Sequence, residues 1–160
     1  MNEWHDLFVA TAGASAALTG LIFVGVSINL ARILSIPKLP GRALLSLILL
    51  MTILIISIVL LMPQQLITGI GIEVFIIGLC CWLLALRIDI SIQRSTSKEF
   101  KNLNLFDLAF DQTAVLPYPI AAIFFLSGND FGFYLIVIAF ILSFIKAMAD
   151  AWVLLIEINR

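Results

Sequence analysis

Apolar runs long enough to cross a lipid bilayer recur along this chain, and that single feature decides its class. They cover residues 7–30, 43–62, 66–86, 106–126 and 131–156. Each has roughly the 20 residues that a helix needs to traverse the hydrocarbon. In lipid a backbone N–H or C=O finds no water, so continuous helix is the default for every run. Composition agrees. Of 160 residues, 62% are hydrophobic and only 12% charged, too few to cover a soluble domain of this size. The expected fold is therefore all-α, a single integral membrane domain over residues 1–160 built as a bundle of about five transmembrane helices. A net charge of -1 leaves no broad basic surface for nucleic acid.

The breaks between runs are Pro37 to Gly41, then Pro63-Gln64-Gln65, then a polar stretch over 87–104, then 127–130. The fourth run is the least regular, because its charge-free part, 113–126, is short and contains Pro117 and Pro119. Alone, that part would dip into the membrane and return. Loop charges favour a full crossing. Arg32, Lys38 and Arg42 follow the first run; Arg87, Arg94, Lys98 and Lys101 follow the third; Arg160 follows the fifth. Five crossings put all of these cations on one side, the positive-inside pattern. That predicts an N-terminus outside and a C-terminus in the cytoplasm. Residues 1–6 carry Glu3 and Asp6 and no Lys or Arg, so they lack the basic start of a secretory signal, and the first run is expected to stay in the mature protein. Ahead of the fourth run, Phe100, Leu103, Phe106 and Phe110 recur at helical spacing among Lys98, Lys101, Asn102, Asn104 and Asp107. This spacing predicts a short amphipathic helix on the cytoplasmic surface.

The first run is rich in small residues. Ala12, Ala16 and Gly20 form one row at every fourth position; Thr11, Ser15 and Thr19 form a second. Small residues let helices approach closely in lipid, and hydroxyls bond across to a neighbour. The rows read either as the crowded centre of the bundle or an oligomer contact, or as the lining of a narrow wet path. The fifth run places Lys146, Asp150 and Glu157 on one helical stripe. An ammonium at membrane depth is expensive and normally pairs or faces water. Asp150 is the obvious partner, and Asp111 on the fourth run should lie at a similar depth, with Asn29, Arg32 and Gln112 in the same leaflet. The expectation is a buried polar cluster contributed by the first, fourth and fifth runs. It serves either as an ion-pair network holding helices in register or as a site for an ion or polar solute. Pro117 and Pro119 deprive the carbonyls of Thr113 and Val115 of their helical donors, giving a kink or, where a helix is broken, a cation site. Glu73 lies toward the outer face with three options open: snorkelling, pairing or titrating. Trp4, Trp82 and Trp152 read as interfacial anchors.

Signals for catalysis are sparse. The one histidine, His5, sits at the outer boundary, so a serine–histidine dyad or a zinc pair within the membrane has no histidine to use. Asp107 and Asp111, at i and i+4, are a weak metal signal on their own. The adjacent Cys80 and Cys81 form neither a disulfide framework nor a zinc pattern. No enzyme activity, metal or cofactor is expected.

Gly13-Ala14-Ser15-Ala16-Ala17-Leu18-Thr19-Gly20-Leu21-Ile22-Phe23-Val24, Leu39-Pro40-Gly41-Arg42-Ala43 and Ala151-Trp152-Val153-Leu154-Leu155-Ile156-Glu157-Ile158 resemble a family of small five-span proteins of the bacterial inner membrane. The resemblance runs the length of the chain. It implies a bacterial plasma membrane and assigns no functional residue; some relatives bear names suggesting modulators of a membrane protease. The reading expected from the residues is a homo-oligomeric bundle that passes or senses a small ion or polar solute through the buried cluster. The alternative is a membrane-embedded regulator or assembly subunit docking another membrane protein.

Overall fold

The computed structural model describes residues 2–94 and 101–158, with no strand among them. Helices α1 (Asn2–Ile28), α2 (Leu30–Ser35), α3 (Leu39–Leu61), α4 (Ile67–Arg94), α5 (Lys101–Val115), α6 (Pro117–Leu126) and α7 (Phe131–Ile158) follow one another. Five stretches are long and apolar enough to span a membrane: Glu3–Ile28, Leu39–Leu61, Ile67–Gln93, Asp107–Leu126 and Phe131–Glu157. The protein is an all-α, multi-pass membrane bundle.

Helix ends follow local chemistry. The chain leaves helical geometry at Asn29 (φ −106°, ψ 18°), forms the short α2, turns extended at Ile36 and re-enters at α3, where proline occupies the first turn, a position that has no N–H partner to lose. After α6, Gly128 adopts φ 71°, which glycine tolerates without a Cβ clash. The N–H groups of Gly128 and Asn129 donate to the carbonyls of Phe125 and Phe124, each at 2.9 Å, closing the helix in a Schellman turn. The Asn129 Oδ1 then accepts the N–H of Phe131 at 2.9 Å and starts α7.

The third span differs from expectation. The polar stretch after residue 86 does not end the helix: α4 continues to Arg94, with Ile88 and Ile92, one turn apart, packed beside Gly41 of α3. Asp89 is thereby carried onto a helix and buried, at 5% exposure. The fourth span is one crossing interrupted only at Leu116, which is itself near helical geometry (φ −56°, ψ −33°). The hydroxyl of Ser143 on α7 donates to the Ala114 carbonyl at 3.3 Å, and the Tyr118 hydroxyl bonds Ser143 Oγ at 2.9 Å. The Ser143 hydroxyl thus meets this stretch at the carbonyl between the two that the prolines leave without a donor. The expected surface helix coincides with the first turns of α5. Lys98 and Phe100, and the side chains over 101–106, lie outside the described residues.

The centre of the bundle is α3, whose Leu49, Leu50, Ile53 and Ile56 are fully buried and which packs against α1, α4 and α7. A helix apolar on every face has large side chains to interdigitate all round. The first helix, by contrast, lies at the periphery, with only 11% of its span buried. It docks on α3 through Phe8, Thr11 and Ser15, and the Thr11 and Ser57 hydroxyls bond at 3.0 Å. The Ala12, Ala16 and Gly20 row is not a contact within the chain: Ala16 and Gly20 are exposed, and a Cβ on Gly20 would meet nothing within 4 Å. Smallness alone gives a helix no reason to be central, since lipid drives no apolar burial and packing area decides.

Candidate functional site

At the end of the bundle that carries Arg32, Lys38, Arg42 and Arg87, four helices converge on Lys146. Its side chain is only 2% exposed. The Lys146 Nζ donates to Asp150 Oδ1, one turn along α7, at 2.7 Å. It stands 3.3 Å from Asp111 Oδ1 and 4.0 Å from Asp107 Oδ1, both on α5. Asp107, on the rim, is ion-paired with Arg42 from the first turns of α3. On the α4 side, Gln112 Nε2 donates to Asp89 Oδ2 at 3.3 Å, while Gln112 Oε1 accepts the Trp82 indole N–H at 2.6 Å. The amide of Gln112 is therefore oriented from both sides.

Between these groups lies a small cavity lined by Arg42, Asp89, Gln93, Asp107, Asp111 and Lys146, with free space of about 20 Å³. That is room for about one water molecule. Asp150 Oδ2 is buried without a hydrogen-bond partner, and Asp111 Oδ1 has only its ion pair with Lys146. Among the described residues, four carboxyl groups face Lys146 and Arg42. If all were ionised, the site would carry a net charge of two negatives in a poorly solvated place, which is costly unless something positive enters. Toward the other end of the bundle the polar character stops. Beyond Ser143 and Tyr118, the rings of Phe140, Phe8, Phe133 and Phe125 pack in succession, with centroids 6.3, 6.2 and 4.8 Å apart.

The expected trio of Lys146, Asp150 and Asp111 is brought together, and Gln112 joins it through Asp89. Three other expected members stand elsewhere. Asn29 bonds the Gly25 carbonyl of its own helix at 3.0 Å and borders an apolar groove of about 250 Å³ between α1 and α7. Arg32 is exposed on α2, and Glu157 lies two turns beyond Asp150 on α7; neither lines the cavity. The Ser15 and Thr19 hydroxyls donate to carbonyls of α1 itself, at 3.0 and 2.7 Å. Asp89, Arg42, Asp107 and Trp82 complete the site instead. Trp82 and Asp89 are seven residues apart on one face of α4, and Asp107 and Asp111 four apart on α5, spacings that would have identified them once α4 was extended. Trp82 is thus an internal donor rather than an interfacial anchor. Outside this site, Glu73 accepts the Gln65 amide at 3.0 and 3.1 Å, the pairing option among the three open to it. Among the described residues no group of three or more His, Cys, Asp or Glu is placed to hold a metal ion.

No protein-family profile, curated protein or solved structure matches this chain.

Proposed function

We propose that this protein is a membrane-embedded bundle, working as a homo-oligomer in the bacterial inner membrane, that passes or senses a small positively charged ion through the Lys146 cavity. The observation that carries the reading is the excess of carboxylate, among the described residues, around a buried lysine, next to a space that admits one water-sized particle. A purely structural network would be expected to balance its charges, since each unmatched buried charge costs stability. The bacterial location rests on the sequence resemblance. Catalysis has no support in the residues.

The experiment is flux and thermal response in proteoliposomes. The wild-type chain is expected to pass protons or monovalent cations, or, as a sensor, to change its unfolding midpoint with their concentration. Lys146→Met in an equally well-incorporated sample should lose that response. Equal flux and equal midpoints for both proteins, under every ion tried, would sink the reading.

Orientation follows from the loop cations. A reporter active only in the cytoplasm should work when fused after Arg160 and stay silent when inserted at 127–130. The reverse result would place the cavity mouth on the outer face and remove the cytoplasm as its ion source.

A second reading has one observation in its favour: α1 presents Gly13, Ala16 and Gly20 outward, with open space around each glycine. A row of this kind suits close contact with another transmembrane helix, as a regulator or assembly subunit docking a partner membrane protein would need.

A further inference from the structure

Helices α1 and α7 both pack against α3, and aromatic rings join them to each other at one end. There Trp4 and Phe8 of α1 pack on Phe133, Tyr134 and Phe140 of α7, with centroids 5.0 to 6.3 Å apart. Toward the end that carries Arg32 the two helices part around the groove of about 250 Å³. Leu18, Ile22 and Gly25 line it from α1, and Met148 and Leu155 from α7; Asn29 is the polar residue among its described walls. Ile33 of α2 borders it at the Arg32 end.

Length, width and charge together say what fills this space. From Leu18 to the end of α1 at Ile28 is about 15 Å at 1.5 Å per residue, half of the roughly 30 Å hydrocarbon core. The groove therefore covers one leaflet and ends where headgroups begin. A neighbouring transmembrane helix is about 10–12 Å across, too thick to enter, whereas one hydrocarbon chain is thin enough. Left unfilled, the apolar walls lose dispersion contacts, and no water is present at that depth to replace them. Arg32 is exposed on α2 beside Ile33 and pairs with no carboxylate among the described residues. Lys38 follows it in the same connection, and the neighbouring acid is Glu157, half-buried about one turn beyond Leu154 on α7. The balance at this end of the groove is positive.

We propose that the groove between α1 and α7 binds one acyl chain of an anionic phospholipid, whose phosphate is held by Arg32. The lipid makes the contact between the two helices that their side chains leave unmade. Met148, Ala151 and Leu155 lie on the face of α7 opposite Lys146, so the lipid site and the Lys146 cavity stand or fall separately.

The test is native mass spectrometry of the full chain in mild detergent, incubated with equal amounts of dioleoyl-phosphatidylglycerol and dioleoyl-phosphatidylcholine, which share their tails. One phosphatidylglycerol should stay on each chain, in about fivefold preference to phosphatidylcholine, the scale of one guanidinium near an anionic headgroup. Arg32→Gln should abolish the preference. Arg87→Gln, which removes an exposed cation of α4 outside the groove, should keep it. Gly25→Leu should lose retained lipid of both kinds, because its side chain enters the groove. A Cβ at Gly25 meets nothing within 4 Å and leucine is the better helix former, so that variant folds. An equal loss of preference in the Arg32 and Arg87 variants means diffuse surface charge and overturns the proposal. So does a wild-type chain that keeps no lipid or keeps the two equally, or a Gly25→Leu chain of wild-type helicity that keeps its lipid. A dimer that replaces the lipid adduct and is lost in Gly25→Leu puts a second copy in the groove and overturns it too. If Gly25→Leu does not fold, Arg32→Glu decides, and a preference retained there overturns the proposal.

Discussion

Replacing Lys146 by methionine should destabilise the bundle by about 3–5 kcal/mol, the scale for removing one partner of a buried ion pair. Methionine keeps much of the side-chain volume, so the loss is electrostatic rather than a cavity. Asp150→Asn should cost less, because Asp111 remains within 3.3 Å of the ammonium and Asp107 within 4.0 Å. The geometry also fixes how the loss is recovered. The double variant Lys146→Met, Asp150→Asn still leaves Asp111 buried without its cation, so it should regain only part of the stability. Adding Asp111→Asn should regain most of the rest, since fully neutralised buried pairs are often no less stable than the charged originals. Unfolding midpoints in mixed detergent micelles measure all four proteins. A triple variant as unstable as Lys146→Met alone would mean that these residues do not form one electrostatic unit.

Much of this unit was readable before any fold was known, and the reason is physical. Hydropathy reports the solvent directly, so the five crossings follow from apolar run lengths. Lys146 and Asp150 are four apart on one helix, so their pairing is local, and Asp111 lies at matching depth by counting the rise per residue. What could not be read depends on how helices approach one another. Asp89 falls in a stretch whose polarity suggests a loop, and the packing of Ile88 and Ile92, one turn apart, beside Gly41 of α3 could not be read from it. The Arg42–Asp107 pair joins residues 65 apart in sequence, and nothing local in the chain relates them. The small residues of α1 left bundle centre and oligomer contact open for the opposite reason. They permit close packing without requiring it, and the close approach in this bundle lies elsewhere.

That approach is between α4 and α6, and it supports the second large prediction. Gly71 and Gly78 are two turns apart on the face of α4 that meets α6. A Cβ added at Gly78 would stand 2.9 Å from Tyr118 Cβ and 3.2 Å from Pro119 N; at Gly71 it would stand 2.9 Å from Leu126 N. Backbone and Cβ atoms cannot swing aside as a side-chain tip can, so the helices themselves must separate. Gly78→Ala should cost about 1–3 kcal/mol, the usual range for overpacking, and Gly78→Leu should cost more. Pushing α6 outward also strains the Tyr118–Ser143–Ala114 bonds on either side of Pro117, one turn from Lys146 on α7. Gly20→Leu is the control, since its added side chain points into open space. That variant should unfold at the wild-type midpoint as a single chain. Any loss it shows should be confined to the mass of the assembly in mild detergent, which is what the outward face of α1 would produce if it contacts a second helix. A Gly78→Leu protein with the wild-type midpoint would mean that α4 and α6 do not pack this closely. A Gly20→Leu protein that unfolds like Gly78→Leu would mean that α1 is buried in the folded chain after all.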